Sequence, residues 1–183
     1  MLVITGPSGV GKGTLIRALR ERCSGLELSV SATTRRPRPG EQAGVDYHYL
    51  GEEEFDRRLE EGEFLEHAEY AGNRYGTLRS ELDRARDAGA RALLLEIEVQ
   101  GARQVREALP EAVQVFIAPP SEKALRTRLV GRGADDPDQI ERRLAVAREE
   151  LAARDEFRHV IVNDRLEDAV QELVRLVATM CGE

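Results

Sequence analysis

The chain reads as an α/β fold built on a parallel sheet, and three observations point there. Short apolar runs alternate with segments whose apolar residues recur at helical spacing, from one end of the 183 residues to the other. The run Ala92-Leu93-Leu94-Leu95-Glu96-Ile97-Glu98 is nearly continuous in apolar side chains, as a strand covered on both faces requires. At the start, Leu2-Val3-Ile4 passes through a glycine-rich loop directly into the helical pattern Leu15-Ile16-Ala18-Leu19.

Composition narrows the class. A chain of 183 residues with 41% hydrophobic content fits one domain with small insertions. No apolar run reaches membrane-spanning length and no signal-peptide pattern opens the chain, so a cytoplasmic location and no membrane partner are expected. A formal charge of −7 argues against a nucleic-acid partner, which needs a basic face. Cys23 and Cys181 lie far apart without metal-type spacing, so neither a disulfide nor a metal site is expected from them. Lys12 and Lys123 are the only lysines; the remaining positive charge is arginine, suited to planar, bidentate phosphate contacts.

Taken in order, Leu26–Val30 follows the Ser24-Gly25 break as a second strand. The next stretch, Ser31 to Glu41, carries Arg35, Arg36 and Arg38 among hydroxyls and helix-breaking prolines, a candidate phosphate loop in an acidic protein. Asp46–Leu50 reads as a strand and Glu52–Glu61 as an amphipathic helix with Phe55 and Leu59 inward. Phe64–Tyr70 alternates and is expected to pair with the 46–50 strand, with Gly72–Thr77 as a turn. Residues 31–77 thus form a mostly-β insertion, and a helix over Leu78–Ala88 returns to the core, residues 1–30 and 78–183. After the strand at 92–98 come a helix over Gly101–Leu109, a strand over Val113–Ile117, and a helix bearing Leu125 and Leu129 with Ser121 as its cap. The acidic turn Asp135-Asp136-Pro137-Asp138 precedes a helix over Gln139–Ala153. A strand at His159–Val162 and an amphipathic helix over Leu166–Met180 complete the chain.

The loop Gly6-Pro7-Ser8-Gly9-Val10-Gly11-Lys12-Gly13-Thr14 carries the clearest chemistry. Glycines at 6, 9 and 11 let backbone N–H groups form a cradle for phosphate oxygens, and the following helix adds its positive end. Lys12 serves the β- and γ-phosphates of the nucleotide as a point charge, the P-loop arrangement. Where a P-loop usually has a Mg²⁺-touching hydroxyl this chain has Gly13, so that contact falls to Thr14 or to water.

With these stand Ser29-Val30-Ser31-Ala32-Thr33-Thr34-Arg35, Pro37-Arg38, Gly40-Glu41, Gly44, Asp46-Tyr47, Gly72-Asn73, Tyr75-Gly76-Thr77 and Gln100-Gly101-Ala102. In this order and spacing, over nearly the whole length, the chain closely resembles the guanylate kinase family. The resemblance implies a five-stranded parallel sheet between helices, of the P-loop nucleoside monophosphate kinase type, with a small GMP-binding insertion and a lid at about 126–143. It implies transfer of the γ-phosphoryl group of Mg·ATP to GMP or dGMP, with Mg²⁺ as cofactor. Carried over residue by residue, it places the GMP phosphate among Ser31, Arg35, Arg38, Tyr47 and Tyr75, the guanine near Glu66 and Thr77, and Glu41 as a supporting acid. Arg128, Arg132 and Arg143 match the arginines that reach the ATP phosphates, and Asn163 the adenine-side loop. Glu98 stands where the family usually has Asp; it implies an acceptor contact and, with Thr14, a Mg²⁺ contact through water.

The chemistry of the residues agrees. One carboxylate can accept from both guanine N1–H and N2–H₂, whereas adenine would leave a buried Glu66 unpaired. The ionised acceptor phosphate needs no general base, so His48, His67 and His159 are read as structural or exposed. Two alternatives remain at this point: a guanylate-kinase-like binding module, against which the intact Gly6–Lys12 run weighs, and a P-loop kinase with another phosphorylated acceptor, against which Glu66 and Thr77 weigh.

Overall fold

The computed structural model describes residues 1–70, 72–130 and 137–182. Its elements in chain order are β1 (Leu2–Thr5), α1 (Lys12–Arg22), β2 (Leu26–Leu28), β3 (Ala32–Thr33), β4 (His48–Tyr49), α2 (Glu52–Glu60), β5 (Phe64–Tyr70) and β6 (Asn73–Leu78). There follow α3 (Ser80–Asp87), β7 (Ala92–Glu96), α4 (Val99–Ala108), β8 (Val113–Ala118), α5 (Glu122–Val130), α6 (Pro137–Ala152), β9 (His159–Val162) and α7 (Leu166–Cys181). A five-stranded parallel sheet runs in the order β2-β7-β1-β8-β9, and a second sheet of four strands in the order β4-β3-β6-β5. No helix among the described residues is long and apolar enough to cross a membrane. The chain divides into two compact units, residues 2–24 with 113–183 and residues 25–112.

In the first unit β1 pairs in parallel with β8, Leu2 opposite Val113 through Thr5 opposite Phe116, and β8 pairs with β9. Leu2, Val3, Ile4, Phe116 and Ile117 are wholly buried, which is why β1 and the second half of β8 read as apolar runs. Helices α1 and α7 pack together through one apolar stripe each, Leu15, Ile16 and Leu19 against Ala169, Val170, Leu173 and Val177. Ser121 caps α5 by accepting the Ala124 N–H at 3.1 Å.

In the second unit β2 pairs in parallel with β7. The four-stranded sheet lies entirely within 32–78 and closes over a small core of Ala32, Phe55, Phe64 and Leu78, with Phe55 and Phe64 stacked at 4.4 Å. The expected pairing of Phe64–Tyr70 with the 46–50 strand is replaced: β5 pairs with β6 in antiparallel fashion, and β4 pairs with β3. Residues 73–77, expected as a turn, are strand. Gly76 is a close-approach glycine, since a Cβ there would lie 2.7 Å from the Glu66 carbonyl oxygen and against the Phe64 ring. Boundaries move as well. Strand β2 stops at Leu28, after which the Ser29 N–H donates to the Leu94 carbonyl and the Val30 N–H to the Glu81 carboxylate at 2.8 Å. Leu78 belongs to β6 and α3 starts at Ser80; β7 ends at Glu96, and Glu98 is the N-cap of α4, which begins at Val99 instead of Gly101. Helix α6 begins at Pro137, where proline is favoured in a first turn, and includes Asp138 of the acidic turn; Asp135, Asp136 and Arg132, with the other lid residues of 131–136, lie outside the described residues.

Candidate functional site

The first unit carries the phosphate loop. Gly6, at φ 137°, leaves β1 so close to β8 that a Cβ would sit 2.3 Å from the Ile117 carbonyl oxygen, which only glycine allows. The Val10 N–H closes a turn on the Pro7 carbonyl at 3.1 Å, and Gly11 in the left-handed region is the N-cap of α1. Side chains take up the loop's carbonyls. Lys12, buried, donates from Nζ to the Gly6 oxygen at 2.5 Å; Asn163 Nδ2 and Arg128 Nη1 both donate to the Val10 oxygen, at 2.8 and 3.2 Å. Arg128 Nη2 also holds the Asn163 carbonyl at 2.8 Å, and Arg143 donates to Ser8 Oγ at 2.8 Å. With those carbonyls engaged by cationic and amide donors, the loop is left to offer N–H groups to an anion, a nest with a helix end behind it. Gly9 and Val10 lie within this loop, and Gly13 and Thr14 lie exposed in the first turn of α1. Arg128 and Asn163 thus act on the loop itself.

The second unit carries two linked clusters. In the first, Arg35 forks onto Glu41 with Nη2 at 2.8 and 2.9 Å from its two oxygens, while the Arg38 N–H and the Tyr49 hydroxyl each donate to Glu41 at 2.7 Å. Arg35 holds the Glu41 carboxyl down to about 2, helped by the Arg38 N–H and Tyr49; burial and Glu41 push the Tyr49 phenol up to about 12. The Arg35 guanidinium stacks 5.2 Å over the Tyr47 ring, and Tyr47 meets Tyr75 edge-on at 6.1 Å. Burial raises the Tyr47 phenol, so both phenols stay protonated as donors. Ser31 is half-buried beside β3, and the Arg38 side chain is exposed. Tyr49 was not among the residues singled out in the sequence; its alternation with Tyr47 along one short strand was the available signal.

In the other cluster a β-bulge between Phe64 and Glu66 brings three consecutive side chains of β5 into the interior. Glu66, 3% exposed, lies opposite Thr77 of β6, whose hydroxyl donates to Oε1 at 2.7 Å. Burial raises its carboxyl to about 7; the Thr77 hydroxyl and N–H oppose the shift, and the charge of Glu98 adds to it. Glu98 Oε2 is buried without a hydrogen-bond partner. Among the described residues no group of three or more His, Cys, Asp or Glu is placed to hold a metal ion.

A phosphate loop in one unit, with an arginine–phenol cluster and a buried carboxylate in the other, is the equipment of a phosphotransferase with an anionic acceptor. The family model described as guanylate kinase matches residues 1–180. The chain belongs to the guanylate kinase family. A guanylate kinase of Streptomyces coelicolor is 54% identical over 96% of this chain and 89% of its own length, and one of Frankia casuarinae is 54% identical over 100% and 97%. The crystal structure of guanylate kinase from Anaplasma phagocytophilum superposes with a TM-score of 0.77 at 34% identity, covering 100% of this chain and 86% of that one. A gluconokinase from Sinorhizobium meliloti, at a TM-score of 0.52 and 20% identity, shares the fold. The P-loop nucleoside monophosphate kinase fold of the family is therefore the fold of this member.

Proposed function

We infer that this guanylate kinase family member transfers the γ-phosphoryl group of ATP to GMP or dGMP, giving ADP and the guanosine diphosphate. The observation that carries the acceptor is Glu66, a buried carboxylate that accepts from Thr77 and has no cationic partner among the described residues. Guanine N1–H and N2–H₂ are two donors that such a carboxylate can accept together, and the Thr77 hydroxyl can turn to O6. Adenine offers an acceptor at N1 and would leave the carboxylate buried and unmatched, a penalty that rejects it. The phosphate of GMP is read as bound by Arg35, Arg38, Ser31 and the Tyr47 and Tyr75 phenols, with Glu41 and Tyr49 holding Arg35 in place. The 31–77 insertion is then the acceptor subdomain.

On the donor side the Gly6–Thr14 loop holds the β- and γ-phosphates through its N–H groups. Lys12 exchanges the Gly6 carbonyl for a phosphate oxygen, and Arg143 and Arg132 balance charge on the transferring group, the latter from the lid segment at 126–143. Arg128 and Asn163 brace the loop from behind. An ionised oxygen of the GMP phosphate forms the new bond to the γ-phosphorus as the bond to the β-phosphate oxygen breaks; no proton has to be removed, and the protein's work is placement and charge stabilisation. A Mg²⁺ ion would be held with water and nucleotide phosphate in the manner usual for this ion, without a dedicated carboxylate cage among the described residues. Thr14 or Glu98, whose Oε2 is buried without a hydrogen-bond partner, would hold it through water. When bound, the ion neutralises phosphate charge. The test is ADP release with GMP, dGMP, AMP, UMP and ribose bisphosphate as acceptors. Turnover with the guanine nucleotides alone is expected, and equal turnover with AMP or with the sugar phosphate would overturn the assignment.

A further inference from the structure

Gly101 is the third residue of α4, inside regular helix and with no positive φ. Any L-residue could adopt that backbone, and alanine is the best helix former where glycine is among the worst. Local preference therefore does not explain the glycine. Its surroundings do: a Cβ at Gly101 would lie 2.2 Å from Glu66 Oε2 and 2.9 Å from Glu66 Cδ. The carboxylate rests directly on the helix backbone. The helix cannot back away, because Gln104, one turn further on and on the same face, clasps β5 beside Glu66, accepting the His67 N–H at 3.0 Å and donating to the His67 carbonyl at 2.6 Å. With the backbones fixed to each other, the part that yields to an added methyl group is the end of the Glu66 side chain.

We propose that Gly101 is a positioning residue for base recognition: by carrying no side chain it lets the Glu66 carboxylate lie against the first turn of α4, and so sets the preference for a purine bearing N1–H and a 2-amino group. The proposal rests on the reading of Glu66 as the guanine acceptor. A methyl group at 101 pushes the carboxylate out of line with the base, while the fold and the donor loop stay as they are.

Gly101→Ala tests this. Misplacement of a recognition group by about 1 Å lowers kcat/KM by about 10²-fold, and a loss of that order is expected with GMP. The KM for ATP should hold, the preference for GMP over IMP, which lacks the 2-amino group, should shrink, and the melting temperature should not fall. In a Glu66→Ala background the same substitution should change GMP kinetics by less than about twofold, since residues acting through one contact are not additive. A full loss in that background as well, or no loss in the wild-type background, overturns the proposal. If Gly101→Ala alone fails to fold, the double variant should fold, because the obstructing carboxylate is gone; a double variant that also fails overturns it too. Should Glu66→Ala by itself leave GMP kinetics and the GMP/IMP preference unchanged, the reading of Glu66 is what fails.

Discussion

Binding of GMP to the free protein should release a proton from Glu66. To accept from N1–H and N2–H₂ the carboxyl must be ionised, yet in the free protein burial holds it at about 7, Glu98 reinforcing the shift and Thr77 opposing it. Below that value GMP has to displace a proton, so affinity rises with pH and levels off above it. For a group at about 7, the linkage relation gives roughly tenfold weaker binding at pH 6 than at pH 8, and about half a proton released per GMP at pH 7. The acceptor phosphate titrates too: with a second ionisation near about 6 it contributes only about twofold over the same range. Glu66→Gln separates the two, because it keeps the phosphate and removes the carboxyl. Calorimetry of GMP binding, without ATP or Mg²⁺, in buffers of differing ionisation enthalpy reads the proton count directly. Wild-type affinity that is flat from pH 6 to 8, or proton release that is undiminished in Glu66→Gln, would refute the argument.

Other consequences can be checked with single variants. Stability carries the same titration: the folded carboxyl at about 7 lies above its ordinary 4.5, so the folded state holds the extra proton between these values and stability falls as pH rises through that window, by about 3 kcal/mol. Chemical denaturation of Glu66→Gln should show that slope removed. Lys12→Ala should abolish turnover while GMP affinity stays within about twofold, since Lys12 belongs to the donor loop; calorimetry showing both lost together would contradict that division. Arg35→Ala should weaken GMP by about 2–5 kcal/mol, leaving Glu41 without its main partner as well. Tyr49→Phe, which removes one donor from Glu41, should raise the KM for GMP by a factor consistent with about 0.5–1.5 kcal/mol and leave the KM for ATP unchanged.

How much of this was legible in the sequence depended on whether the determinant was local. The buried strands β1, β7 and β8 and the stripes of α1 and α7 announced themselves, because burial on both faces or on one stripe fixes the residue types directly. The phosphate loop was legible because three glycines, a lysine and a flanking strand and helix have little else to do together. The 31–77 insertion was harder. Its glycines were read as turn formers, but Gly76 serves a contact with Glu66 and Phe64 across the sheet, and no local pattern distinguishes the two uses. The placement of Glu66 came from resemblance, while the bulge that turns it inward, the Thr77 hydroxyl opposite and Gly101 beneath it are long-range contacts. Arg128 and Asn163 both donate to the Val10 carbonyl, contacts that sequence spacing over more than a hundred residues does not reveal.

The central claim is that a buried carboxylate selects guanine for phosphoryl transfer. Phosphorus NMR of the protein mixed with ATP, Mg²⁺ and equal concentrations of GMP and AMP tests it in one sample. The account predicts that GDP and ADP accumulate together in equal amounts with AMP untouched, and that Glu66→Gln slows GDP formation by at least about 10²-fold. Consumption of AMP alongside GMP by the wild type, or GDP formation at the wild-type rate in Glu66→Gln, would contradict it.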